Sequence, residues 1–285
     1  MRTEVNTAER GARRAATSPA MTKLARLGYA IKGVVYVVIG VLALLLATGH
    51  GGSVTDQTGA LKAIYGSPLG EGFGRFLMVV ITIGLFAFAL WSLIQAIFDT
   101  EGKGRKAKGI IARLGYAAVG VTYGLLGYAA YQIAATGNSS KNSTSSTQNW
   151  TALLLKQPAG VALVVIVGIA VLVIAVVMFV KAYKASFQKY LNLSTLGAQA
   201  RKAVIRVGRI GYAAIGVVFT IIGIFLIVAA VKNNPQDAKG LDSALVALVQ
   251  QPFGPWLLGL VALGLIAYGV YSFVEARYRR LGWSR

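Results

Sequence analysis

Long apolar stretches alternate with short polar ones along the chain. The apolar stretches fall at about 27–47, 74–98, 114–135, 158–180, 210–231 and 254–275. Each holds the roughly 20 residues that a helix needs to cross a hydrocarbon core of about 30 Å. Only helices satisfy every backbone N–H and C=O within one segment in lipid. The pattern predicts an all-α membrane protein with six transmembrane helices.

The stretches repeat one another. Leu27-Gly28-Tyr29-Ala30, Leu114-Gly115-Tyr116-Ala117 and Ile210-Gly211-Tyr212-Ala213 open the first, third and fifth. Glycines recur five and twelve residues later, as Gly33 and Gly40, Gly120 and Gly127, and Gly216 and Gly223, with Tyr36, Tyr123 or Phe219 between them. The following segments repeat as well. Ala60-Leu61, Ala152-Leu153 and Ala244-Leu245 precede Pro68-Leu69-Gly70, Pro158-Ala159-Gly160 and Pro252-Phe253-Gly254. A fixed internal period marks a repeat architecture. The expected unit is a long helix, a short interfacial helix, a Pro-x-Gly turn that starts the next span, and a second long helix. The chain divides into a disordered basic tail (1–22) and three hairpin units (23–100, 101–185 and 186–280), arranged with pseudo-threefold symmetry in one membrane domain.

At 100° per residue, Arg26, Tyr29, Gly33, Tyr36 and Gly40 share one arc of about 80°. Arg113, Tyr116, Gly120, Tyr123 and Gly127 do the same, as do Arg209, Tyr212, Gly216, Phe219 and Gly223. Small residues on such a stripe let membrane helices approach closely. These faces are expected to be packing seams; the sharper alternative is that they line a central pathway. Four polar side chains in or at the ends of the spans stand out: Lys32, Gln95, Lys181 and Glu275. Lys32 is expected to snorkel to the near end of its helix. Gln95, Lys181 and Glu275 share one repeat position near the ends of the second, fourth and sixth spans (the even helices, the other three being the odd helices), where solvation at the interface is expected, with Arg209, Arg26 or Lys181 as candidate partners for Glu275.

Two connections stand out. Residues 184–206 carry Phe187, Tyr190, Leu191 and Leu196 among basic residues, the pattern of an amphipathic helix lying on the membrane. Residues 137–149 are rich in Ser, Thr and Asn and read as a flexible loop. Three Asn-x-Ser/Thr triplets begin there, at Asn138, Asn142 and Asn149.

Charge fixes an orientation. The formal net charge is +20. Of the 29 Lys and Arg, 22 lie before the first span, after the last, or in the two loops that join units; the loops within units hold six. Under the positive-inside rule both termini are cytoplasmic. That distribution matches anionic lipid headgroups rather than nucleic acid. A chain that is 56% hydrophobic and 13% charged fits this reading. The polar N-terminal stretch lacks the short apolar core of a signal peptide.

Little chemistry is legible. There is no cysteine, and His50 is the single histidine. No acid/base pair, nucleophile–base set or metal-ligand spacing emerges, so no catalytic residue, cofactor or metal is expected. Gly70, Gly72 and Gly74 resemble part of a nucleotide fingerprint but lack its strand–helix context.

The Gly-Tyr-Ala-x-x-Gly…Gly motif, the Ala-Leu and Pro-x-Gly elements and the aromatic-rich second helices resemble the bacterial membrane family called domain of unknown function 1206, over roughly residues 24–280. The resemblance implies three tandem two-helix units in a bacterial cell membrane, and no catalytic residues. Repeats of that family often carry Arg before the second glycine. Here Lys32 fills that place, while Val119 and Ile215 depart from it. The expected function is non-enzymatic: a structural or interaction component that contacts anionic lipid at the cytoplasmic face, with an unidentified protein partner possible. The alternative is a channel or transporter for a small solute or ion with a central pathway.

Overall fold

The computed structural model describes residues 19–66, 71–99, 104, 107–137 and 143–280. The N-terminal tail up to residue 18, the turn at Pro68-Leu69-Gly70, most of the basic linker 100–106, and the triplets at Asn138 and Asn142 in whole or part lie outside the described residues.

Nine α-helices are described. They are α1 (Pro19–Ala47), α2 (Gln57–Tyr65), α3 (Glu71–Phe98), α4 (Ala107–Thr136), α5 (Ser143–Leu155), α6 (Gly160–Lys184), α7 (Ala198–Val231), α8 (Leu241–Val249) and α9 (Gly254–Tyr278). The six long ones are long and apolar enough to cross a membrane. The short ones, α2, α5 and α8, sit at the opposite end from the inter-unit linkers. Asp56 begins α2 by accepting the Gly59 N–H at 2.8 Å, an N-cap of the usual kind.

The long helices follow one another around the bundle. The most extensive contacts join successive units, α1 with α9, α3 with α4, and α6 with α7. Contacts within the first and third units, α1 with α3 and α7 with α9, are smaller. The middle unit differs, because α4 and α6 share no extended contact among the described residues. The ring of six is open there, and α4 and α6 are only 11% and 17% buried in their apolar windows, against 39% or more for the other four.

Glycine positions explain the difference. Gly84 on α3 and Gly264 on α9 occupy the same repeat position. A Cβ on Gly84 would stand 2.5 Å from Ile31, and one on Gly264 would overlap Ala214, so both pairs of helices touch only because that carbon is missing. The middle copy has Ala170 there, whose methyl blocks the same approach, and it is exposed. Likewise a Cβ on Gly28 or Gly211 would strike Phe88 or Tyr268 within the same unit, whereas one on Gly115 would meet nothing within 4 Å.

Three expectations are corrected. The second and third Pro-x-Gly turns do not start the following spans at proline: α6 and α9 begin at Gly160 and Gly254. Ala159 and Phe253 precede them at φ 59° and 61°, in the left-handed region. The glycine is needed because a Cβ on Gly160 would sit 2.5 Å from the carbonyl oxygens of Leu154 and Leu155 ending α5. The stretch read as a loop before Asn149 is helical from Ser143. Two of its polar side chains, Thr144 and Gln148, bond to the third unit. The Thr144 hydroxyl donates to the Asp242 carboxylate and accepts the Gly240 N–H at 2.9 Å, and Gln148 donates to the Gln236 carbonyl at 3.1 Å. The Asn149 triplet is therefore helical, with Thr151 buried.

The linker before α7 is not a helix on a membrane surface. Ala185 at φ 46° ends α6, a 3-10 turn spans Ser186–Tyr190, and the chain then runs extended. Phe187, Leu191 and Leu193 are buried in a cluster with Tyr212 and Tyr271. Phe187 stacks on Tyr212 at 5.2 Å and meets Tyr271 edge-on at 5.0 Å. These apolar side chains found aromatic partners inside the bundle, which removes the amphipathic face that lipid would have covered. A short antiparallel bridge pairs Leu191 with Arg279.

Candidate functional site

The odd helices hold their repeat residues on two adjoining faces. The second and third glycines of each motif face the even helix of the neighbouring unit. A Cβ on Gly33 would lie 2.9 Å from the Gly269 carbonyl oxygen and 3.1 Å from the Phe273 ring; on Gly120, 2.7 Å from Leu93; on Gly216, 2.9 Å from Phe179. Gly40, Gly127 and Gly223 stand in the same way against Ile266, Phe86 and Leu172. The second helix in each contact thus uses equivalent positions in all three copies.

The tyrosines turn inward. Tyr36 packs edge-on against Tyr268 at 4.9 Å, Tyr29 against Phe88 at 4.9 Å, and Tyr123 against Phe88 at 4.6 Å. Phe219 is half-buried on the main core cluster, and Tyr116 is half-buried on α4. The arginines of the motif do not converge. Arg113 donates to the carbonyls of Ala96 and Ile97 at 2.6 and 2.8 Å, capping the end of α3. Arg26 and Arg209 are exposed.

An ionic cluster lies inside this aromatic shell. Lys32 is 6% exposed and donates from Nζ to Glu275 Oε2 at 2.9 Å. Arg279 donates to Glu275 Oε1 at 2.5 Å. Lys32 Nζ also stands 5.1, 5.8 and 5.0 Å from the ring centres of Tyr29, Phe88 and Tyr268. The Arg279 guanidinium lies 5.0 Å over Tyr29. Ring faces attract cations, most strongly when water is excluded. Lys32 therefore does not snorkel. Glu275 is 2% exposed and Gln95 4%, so neither is solvated at a helix end. The third member of that repeat position, Lys181, is half-buried 5.6 Å over Tyr212. The partners of Glu275 are Lys32 and Arg279, not Arg26, Arg209 or Lys181.

Sequence reading missed Arg279 in this cluster. The Glu275–Arg279 spacing of four residues on one helix was a usable signal. Lys32 and Glu275 are 243 residues apart, and no local pattern joins them. Trp91, 2% exposed, adds an indole N–H without an acceptor among the described residues. Among the described residues no group of three His, Cys, Asp or Glu is placed to hold a metal.

At the basic end, just beyond the cluster, a cavity of about 370 Å³ is lined by Arg26, Asn192, Thr195, Arg277, Tyr278, Arg279 and Arg280. The linker forms one wall. The Asn192 N–H donates to the Tyr278 carbonyl at 2.7 Å, and the Arg280 N–H to the Tyr190 carbonyl at 2.9 Å.

Comparison with known proteins agrees with the repeat. The family described as Domain of Unknown Function (DUF1206) matches the chain three times, over residues 27–99, 114–185 and 210–279. A Bacillus subtilis (strain 168) protein, named Uncharacterized protein YxxB, is 34% identical over 269 residues, covering 94% of this chain and 95% of its own length. No solved structure matches. The chain belongs to the DUF1206 family, and each copy of the family unit spans one odd and one even long helix.

Proposed function

We propose that this protein is a sealed structural or interaction component of the bacterial cell membrane. Its three units sit around a pseudo-threefold axis, both termini are cytoplasmic, and it catalyses no reaction. Its basic face meets anionic lipid headgroups. The observation that carries this reading is the filled interior. Where a pathway would run, Tyr36, Tyr123, Tyr268 and Phe88 interlock edge to face, and Lys32 is spent on Glu275. A water-lined conduit needs polar groups turned to an open lumen, whereas here they turn to each other. The 22-to-6 split of basic residues supports the orientation.

The transporter reading draws on one feature, a charged cluster within the spans, since intramembrane ionisable residues often mark ion or proton paths. Reconstitution separates the two. Protein in sealed liposomes is expected to pass neither small ions nor a small polar dye above protein-free vesicles. Saturable flux that is lost on Tyr36→Ala or Tyr123→Ala would overturn the sealed reading.

A further inference from the structure

We propose that the cavity at the ends of α1 and α9 is a phosphate-binding site, taking the phosphate of an anionic lipid headgroup or of a soluble phosphate. This rests on the anionic-lipid part of the reading above and gives it a location. Four arginines line the one cavity, with Thr195 and Asn192 supplying a hydroxyl and an amide. Arg279 is held by Glu275 at 2.5 Å. Arg26, Arg277 and Arg280 form no ion pair with a carboxylate among the described residues, although like charges brought together repel. An anion offsets that repulsion. Guanidinium groups are suited to the task, because their planar N–H forks match phosphate oxygens. About 370 Å³ lies within the range of small-ligand cavities.

The site is also preorganised. In this helical protein an isolated antiparallel bridge, Leu191 with Arg279, ties the linker to the end of α9. The two backbone hydrogen bonds flanking it hold Asn192 opposite Tyr278 and Tyr190 opposite Arg280. Phe187 and Leu191, buried beneath, fix that wall from the inside. Arginines scattered on a basic surface to meet a membrane would need none of this.

The test uses the full-length protein purified in detergent. Its thermal stability is titrated with inorganic phosphate and, separately, with short-chain phosphatidylglycerol, using zwitterionic phosphatidylcholine, which has no net charge, as the reference. Arg277→Gln/Arg280→Gln removes two exposed cavity cations and spares Arg279. Arg201→Gln/Lys202→Gln removes the same charge from the exposed start of α7. Saturable stabilisation is expected, with apparent affinity falling about tenfold or more in the cavity double variant and by less than threefold in the control. Stabilisation by phosphatidylglycerol alone assigns the site to a lipid headgroup, and stabilisation by inorganic phosphate as well assigns it to phosphate itself. Equal losses in both double variants overturn the site while leaving a general attraction to anionic lipid. No stabilisation by either probe overturns both.

Discussion

Replacing Glu275 by Gln leaves Lys32 and Arg279 facing each other across a neutral amide. Arg279 can relax toward the adjoining cavity, since its side chain is 12% exposed. Lys32 cannot, at 7%. Its ammonium would keep only the ring faces of Tyr29, Phe88 and Tyr268. Stripping a buried charge of its partner costs about 3–5 kcal/mol, and Glu275→Gln is expected within that range. Lys32→Met is expected to cost less, about 1–2 kcal/mol, because Met fills the same space and Glu275 keeps Arg279. In the double variant no lone ammonium remains, so the cost should fall below the sum by about 2 kcal/mol or more, far outside the roughly 0.5 kcal/mol within which independent sites add. The assay is reversible unfolding of the four proteins in mixed micelles, followed by circular dichroism against denaturing detergent. Additive costs would show that Lys32 and Glu275 are not paired. A cost for Lys32→Met equal to that of Glu275→Gln would show that Arg279 does not hold the carboxylate.

Two further outcomes follow from the same contacts. Gly28→Ala and Gly211→Ala should each lose about 1–3 kcal/mol in that unfolding assay, since their methyl groups strike Phe88 and Tyr268. Gly115→Ala, at the same motif position but with open space beside it, should be neutral or gain up to about 1 kcal/mol of helix propensity; equal losses at all three would refute the splayed middle unit. Reporter fusions after Gly104, Gln199 and Arg285 should be cytoplasmic, and those after Gly51, Ser143 and Gln236 external. One reversed fusion would break the six-span orientation.

The number of spans, their repeat and the presence of a glycine seam could be read from the chain because each follows from spacing within one helix. The helix that a seam meets could not. Gly33 presents the same stripe whether it packs on α3 of its own unit or α9 of the last one, and only the assembled bundle selects Gly269 and Phe273. The fate of the linker was hidden for a related reason. Phe187, Leu191 and Leu193 are apolar residues among cations, and that pattern fits lipid or a protein interior equally well. The choice fell to Tyr212 and Tyr271, which lie far off in sequence and present their rings there.

The middle unit shows how a repeat can be legible and yet be used differently. Its odd helix keeps every motif glycine, and Gly120 and Gly127 still seat α4 on α3. Its even helix departs from the aromatic and polar set of the other two. Where Phe88, Trp91 and Gln95 stand on α3, and Tyr268, Tyr271 and Glu275 on α9, the equivalent α6 residues are Ile174, Val177 and Lys181. Ile174 and Val177 are exposed on the flank of the bundle. An aromatic cage needs rings from facing helices, and a buried carboxylate needs a cation within reach. At these three positions α6 supplies neither ring nor carboxylate, and Ala170 keeps it off α4. The ion cluster therefore forms where the first and third units meet, at the α1–α9 contact, which is also the most extensive in the protein. A charge pair placed at the open α4–α6 side would face hydrocarbon with no ring or backbone to offset its desolvation.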